Sequence, residues 1–297
     1  MHENRAPQPR ELQNLQHHLF ESNESAAKNI ALSTAVNPQA VRHESRHRNI
    51  MTLPTTLSRV SFALALLAST TGTYVALTPP NPNAVAVPRT GDAIRWLHLT
   101  DSHIPNVPIV PIALLALHTC VLACFHRPRA TTPPPLPPPW ALRSGAANGL
   151  NPDLITWSAA TALPLALILG VGVPLRLVAY ASLGTNFTFA LAEPDRLTTC
   201  GVYGYVQHPS YGGVVALLVG NVALLARSDG IVSCWIPPRW YAGARRLAWA
   251  LVPVGLAILL SALWTRVRQE EDMLRAEFGS EWEEWHARTA RFIPGVF

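Results

Sequence analysis

An all-α, polytopic membrane helix bundle is the fold class this sequence predicts, and three observations lead to it. Only 14% of the 297 residues are charged and 49% are hydrophobic, where soluble domains carry about 25% charged residues. The apolar residues gather in long runs, as bilayer-crossing helices require, and do not alternate as in strands. Mean hydropathy is +0.17 even with polar and proline-rich segments included. About five spans are expected, six if one short run forms a hairpin, followed by a helical C-terminal tail.

The elements follow in order. Residues 1–50 are polar, carry scattered histidines (His17, His18, His43, His47) and repeat at neither helix nor strand spacing, so an unstructured extension is expected. Met51 opens "MTLPTTLSRVSFALALLASTTGTYVAL", which reads as a first span. Its apolar character runs to Leu77, too long for the core of a cleaved signal peptide. "TPPNPNAVAVP" ends that span, because closely spaced prolines remove helix donors. Val107–Phe125 reads as the second span, and "TTPPPLPPPW" (131–140) as a stiff polyproline II connector. Residues 51–152 thus form one region of spans and connector, and residues 153–297 a second.

In that second region a third span is expected over 154–180, kinked at Pro164 and Pro174. The "GVG" at 170–172 lacks a preceding strand and a third glycine, so it reads as close helix packing and not as a nucleotide loop. Val214–Ala226 is a short fourth run, extendable by "IVSCWI" into a hairpin, and Leu247–Trp264 is a clear fifth. The charged segment "RVRQEEDMLRAEFGSEWEEWHARTARF" continues without a break. Val267, Leu274 and Phe278 fall near one helical face, so a helix should continue past the membrane to Gly279. Ser280 is expected to cap a following helix, with Trp282 and Trp285 at an interfacial surface.

Net charge is +5, and nearly all the basic side chains are arginine. In a membrane protein this fits anionic lipid headgroups, and no basic block interleaved with aromatics supports nucleic-acid binding. Arginines occur on both sides of the expected spans, so the positive-inside rule gives no orientation. Cys120, Cys124, Cys200 and Cys234 form no C-x-x-C pair and no metal-ligand spacing, and read as small packing residues.

One stretch does not fit a simple bundle. "GVYGYVQHPSYGG" (201–213) places three tyrosines, a Gln-His-Pro and four glycines between apolar runs. Such a segment is costly near a bilayer unless protein or water satisfies its polar groups. If the two runs after it each cross the membrane, this motif and the charged tail meet on one side. Arg266 and Glu270 then share a helical face near His208. An ordinary solvated helix end with an i,i+4 ion pair is the bland alternative, and the His-Pro stretch argues against it.

"LGTNFTFALAEPDRLTTCGVYGYVQHPSYGG" together with "RVRQEEDMLRAEFGSEWEEW" resembles isoprenylcysteine carboxyl methyltransferases, over roughly Leu154 to Pro294. "ALTPPNP" after the first span is reminiscent of fungal members. The paired motifs G-x-Y-x-x-x-[RQ]-H-P-x-Y-x-G and R-x-x-x-E-E-x-x-L-x-x-x-F-G-x-E carry the resemblance; each alone also occurs in phospholipid methyltransferases. The resemblance implies S-adenosyl-L-methionine as cofactor, held by a loop and tail on the cytosolic face of the endoplasmic reticulum membrane. It implies prenylated C-terminal cysteines of CAAX-type proteins as the substrate. By motif position it implies cofactor contacts from Asp195, Arg196, Leu197, Thr198, Tyr203, His208, Pro209, Ser210, Tyr211 and Glu270, and substrate contact from Arg266. Asp195 stands where the family commonly has histidine, the linker from Phe187 to Asp195 is short, and Gln207 replaces a frequent arginine.

The residue types suit that chemistry. A carboxylate with an ordinary pKa of roughly 3.5 is already ionised at neutral pH, so it needs orientation rather than deprotonation. A guanidinium fork orients two carboxylate oxygens. His208 is not needed as a general base. The alternatives are a phospholipid N-methyltransferase, whose protonated amine an arginine would repel, and a non-catalytic membrane scaffold that uses the proline-rich segment.

Overall fold

In the computed structural model, residues 38–82, 90, 92, 106–125 and 140–295 are described. Residues 1–37 of the polar extension and residues 131–139 of the proline-rich connector lie outside them. The chain divides into two compact units, Met1–Thr56 and Leu57–Phe297. All site geometry below belongs to the second.

The helices are α1 (Pro38–Leu77), α2 (Asn106–Phe125), α3 (Trp140–Ala147), α4 (Ala159–Leu167), α5 (Val173–Leu183), α6 (Pro209–Leu225), α7 (Pro238–Phe278) and α8 (Ser280–Arg288). A π-helical turn, Ile168–Gly172, joins α4 to α5. Helix α1 reaches back past Met51 into the segment expected to be unstructured. Among the described residues four segments are long and apolar enough to cross a membrane: Thr56–Leu77, Val107–Phe125, Pro152–Asn186 and Pro238–Phe278. Helix α6, the expected fourth span, has 17 residues, about 26 Å of helix against a hydrocarbon core of about 30 Å. Its expected extension into a hairpin does not occur. "IVSCW" is instead a 3-10 turn, Ile231–Trp235, with Ile231, Ser233 and Cys234 buried. Asn148 Nδ2 fixes it by donating to Ser233 O and Ile236 O, each at 2.8 Å.

Helix α4 starts where Thr161 Oγ1 accepts the Ser158 N–H at 3.1 Å, satisfying an N–H that the helix leaves unpaired. The expected distortion of this span appears between its two prolines. Val173 N–H bonds to Ile168 O, five residues back, so the helix widens by one residue where Pro174 offers no donor. The widened turn faces α6. A Cβ on Gly213 would sit 3.0 Å from Gly172 O and 3.2 Å from Arg176 N, and one on Gly172 would lie 2.9 Å from the Leu217 side chain. Of the "GVG", Gly172 is therefore a close packing position, as its sequence context suggests, while Gly170 is exposed with nothing near it. Phe62 and Leu66 of α1, Ala116 and Cys120 of α2, Leu165, Ile168 and Leu217 form the core around this contact.

Helix α7 has 41 residues, about 60 Å, roughly twice the hydrocarbon thickness. Its apolar half, including Trp249, Leu251 and Ile258, is exposed on the protein surface. Its charged half continues unbroken to Phe278 and there meets the rest of the protein. Gly279 turns the chain at φ 52°, a backbone region that favours glycine. The cap of α8 is Gly279 itself, and Ser280 is the first helical residue, not the cap. The turn is too tight to leave room for a separate capping residue. Arg275 donates across it to Glu283 Oε1 at 2.8 and 3.1 Å.

Trp282 and Trp285 are also not interfacial. Both are buried, in a cluster with Ala179 and Tyr203 against which Leu274 and Phe278 pack. Doubling back after Gly279 presses the apolar face of α8 onto the 201–213 motif. The mean exposure of a Trp in a charged sequence says nothing of this.

Candidate functional site

Backbone pairing joins the motif to the tail. Gln207 N–H donates to Ala290 O at 2.8 Å, His208 N–H to Arg291 O at 3.0 Å, and Ala290 N–H returns to Tyr205 O at 3.2 Å. Trp285 Nε1 adds a bond to Tyr203 O at 2.8 Å. Gln207, which stands where the resembled family frequently has arginine, is the main side-chain anchor. Its Nε2 donates to Thr289 O at 2.8 Å and Thr289 Oγ1 at 3.0 Å, while its Oε1 pairs with His286 Nδ1 at 2.8 Å. Since Nε2 is the amide's donor, Oε1 accepts and His286 carries its proton on Nδ1. Burial lowers the His286 pKa, which keeps the ring neutral.

Pro209 begins α6 and its fixed φ suits the first helical position. That start places Ser210, Tyr211 and Val214 in the wall of a cavity of about 420 Å³. Arg196, Leu197, Thr198, Tyr203, His208, Ser210, Tyr211, Arg266 and Glu270 all line it. The sequence-derived residues are thus gathered in one place with two exceptions. Asp195 is exposed and takes a hydrogen bond from Asn186 Nδ2. Pro209 is buried but contributes no surface to the cavity. Asn186 holds the Asp195 carboxylate at the exposed surface, and Pro209 is buried at the first position of α6.

Tyr211 Oη donates to Glu270 Oε2 at 2.8 Å, tying α6 to α7. Burial and the nearby Glu270 carboxylate push the Tyr203 hydroxyl well above its ordinary pKa, so it stays protonated. His208 is buried, and neither ring nitrogen has a hydrogen-bond partner. Its Nε2 lies 3.4 Å from Glu271 Oε1, without hydrogen-bond geometry. Glu271 is itself committed to Arg291, at 2.7 and 3.2 Å. An unpartnered buried imidazole in a cavity wall is costly, and a ligand there would relieve the cost.

Two buried arginines line the cavity in different electrostatic states, and a third, Arg196, is exposed. Arg266 Nη1 pairs with Asp92 Oδ1 at 2.7 Å, and its Nη2 donates to Phe189 O. Arg176, on the third span, donates through Nε to Ala76 O at 2.8 Å and through Nη1 to Ser210 Oγ. Its guanidinium carbon lies 4.7, 5.2 and 5.4 Å from the ring centres of Tyr180, Phe189 and Phe187. Among the described residues no carboxylate is paired with it. Arg266, which the resemblance implies as the substrate contact, lines the cavity and is paired with Asp92, whereas Arg176 is a second buried cavity arginine without a carboxylate partner among the described residues. Sequence reading missed Asp92 and Arg176. A lone arginine in an apolar run is a signal of function, whereas nothing local marks Asp92.

The cavity also has an apolar side. Leu77, Pro108, Leu259, Ala262 and Leu263 line it, and all but Pro108 come from the segments of α1 and α7 that are apolar enough to span a membrane. A long hydrocarbon chain attached to an anionic head matches this division of the wall.

Residues 164–237 match the isoprenylcysteine carboxyl methyltransferase (ICMT) family. The matched segment holds the π turn, Arg176, the 201–213 motif and α6. A protein-S-isoprenylcysteine O-methyltransferase of Dictyostelium discoideum is 28% identical over 129 residues, 42% of this chain and 46% of that protein. The chain therefore spans about half the length of this curated relative. The ICMT match ends before α7, so Arg266, Glu270 and the docked tail lie beyond it. These reach the site by folding alone.

Proposed function

We propose that this protein methylates the C-terminal carboxylate of a prenylated cysteine, using S-adenosylmethionine, with its cavity facing the cytosol from the endoplasmic reticulum membrane. The observation that carries the reading is the cavity's composition. An apolar side contributed by membrane-spanning segments runs up to Arg176, a buried arginine with no carboxylate partner. The family match and the prenylcysteine activity named for the Dictyostelium relative support the same reading.

The residues present fit the cofactor. His208 offers two unpartnered buried nitrogens, Glu270 a carboxylate for a cationic amino group or ribose hydroxyls, and Tyr203 and Tyr211 aromatic surface. Arg196, Leu197, Thr198 and Ser210 complete that part of the wall. Bound there, adenosylmethionine would supply an electrophilic methyl group for direct transfer to an already ionised carboxylate, chemistry that asks no proton transfer of the chain. What the chain must provide is orientation and exclusion of water. Arg176 holds the carboxylate, held in turn by Ala76 O, Ser210 Oγ and three aromatic rings. The apolar side receives the prenyl chain, and His208 binds without acting as a base. A phospholipid amine would meet the same uncompensated arginine and be repelled, which disfavours the N-methyltransferase reading.

The deciding experiment supplies purified protein with labelled adenosylmethionine and either N-acetyl-farnesylcysteine or phosphatidylethanolamine. Base-labile label on the prenylcysteine, as a methyl ester, is the expected result. Label on the lipid amine instead would overturn the proposal.

A further inference from the structure

The pairing of Arg266 with Asp92 bears on how the cavity handles an anion. Asp92 lies between the first two spans, far outside the family-matched segment, and its side chain is completely buried. Both of its oxygens are engaged: Oδ1 by Arg266 at 2.7 Å and Oδ2 by the Leu191 N–H at 2.9 Å. Arg266 is also bound to Phe189 O, so the ion pair is clamped to the strap Phe189–Leu191. Phe189 is the residue whose ring lies under Arg176. The two arginines therefore flank one short strap, and Asp92 balances only one of them. Asp92 does not itself line the cavity; Arg266 and Arg176 do.

Charge decides what this arrangement is for. Two unbalanced guanidinium groups beside one carboxylate would bind it tightly and hold its oxygen electrons in the ground state. Binding the ground state more strongly than the transition state, where the oxygen's charge is being lost, lowers turnover. One unbalanced guanidinium orients the carboxylate with less of that penalty. We propose that Asp92 is a positioning residue that sets the charge of the acceptor wall. By neutralising Arg266 and fixing it against the strap, it leaves Arg176, among the described residues, as the buried cavity arginine without a carboxylate partner toward the acceptor. This rests on the carboxylate-acceptor reading above.

The test uses the full-length protein in lipid nanodiscs and needs no turnover for its first arm. Competition binding compares N-acetyl-farnesylcysteine with its methyl ester, which differs by the acceptor charge. Asp92→Asn keeps the shape and an acceptor for Leu191 N–H but removes the charge. It should raise the preference for the carboxylate over the ester by about tenfold, with adenosylmethionine binding unchanged. In turnover it should lower both KM for the carboxylate acceptor and kcat, and Asp92→Glu should restore kcat. A purely structural role would instead weaken both ligands alike and raise KM. If Asp92→Asn does not fold, Asp92→Asn/Arg266→Gln removes both buried charges together and keeps a side-chain donor for Phe189 O. That double variant should show the wild-type carboxylate-to-ester preference, since the wall charge is the same. A preference unchanged in the folded single variant, or lost in the double variant, overturns the role of Asp92. A wild-type protein that binds adenosylmethionine yet shows no carboxylate preference overturns instead the acceptor reading on which the role depends.

Discussion

Tyr211 Oη donates a 2.8 Å hydrogen bond to Glu270 Oε2, fastening the first turn of α6 to the charged half of α7. Glu270 is thereby held in the cavity wall with one oxygen committed and the other available. Glu270→Gln should raise the apparent constant for adenosylmethionine, because a cationic or hydroxyl partner loses a charged acceptor. Tyr211→Phe should produce a smaller rise, through looser placement of Glu270. Equilibrium binding of adenosylmethionine to both folded variants checks this; unchanged affinity in Glu270→Gln would remove the residue from the cofactor site.

Arg176 should separate acceptor binding from cofactor binding. Arg176→Lys retains a charge but loses the planar fork and the stacking on Tyr180, Phe187 and Phe189. Adenosylmethionine binding should persist while kcat/KM for a prenylcysteine acceptor falls by about tenfold or more, a loss of about 1.4 kcal/mol in transition-state stabilisation. Parallel binding and turnover measurements decide it.

Gly213 carries the close approach that places Arg176. A Cβ there would lie 2.9 Å from Arg176 Cγ and 3.0 Å from Gly172 O. Gly213→Val should therefore destabilise the α5–α6 contact by about 1–3 kcal/mol and displace the arginine. The expected result is a lowered Tm in detergent together with a raised KM for the acceptor.

The C-terminal dock depends on Gln207. Gln207→Ala leaves Thr289 O and His286 Nδ1 without their partner, at a cost of about 1–3 kcal/mol. Limited proteolysis should then cut within 279–295 faster than in the wild type, and adenosylmethionine should slow the cut if it contacts the docked motif.

The dock should also respond to pH. His286 has a lowered pKa in the folded protein, so its contribution is fully present above the ordinary histidine value of about 6.5 and is lost as pH falls below it. Between pH 7.5 and 5.5 the wild-type Tm should fall by more than that of His286→Gln. Equal falls would show that His286 does not couple to folding.

Much of this protein was legible in the sequence because bilayer-crossing helices declare themselves locally. The apolar runs, the proline stops, the packing role of Gly172 and the helical tail past Trp264 follow from composition and spacing, which neighbouring residues alone satisfy. The G-x-Y…His-Pro and Arg…Glu-Glu motifs likewise supply Tyr203, His208, Ser210, Tyr211, Arg266 and Glu270 to the cavity wall, since each motif keeps its residues close along the chain. What tertiary structure alone decided is every feature that depends on residues distant in sequence. Asp92 meets Arg266 across 174 positions, and only that meeting distinguishes the balanced arginine from Arg176. Trp282 and Trp285 look interfacial by composition, but the positive φ at Gly279 folds α8 back and buries them against Tyr203. Asp195 sits within the expected site segment yet is exposed, with its carboxylate bonded to Asn186 and not part of the cavity wall. Charge balance and burial are properties of what surrounds a side chain, and the sequence lists neighbours along the chain, not around it.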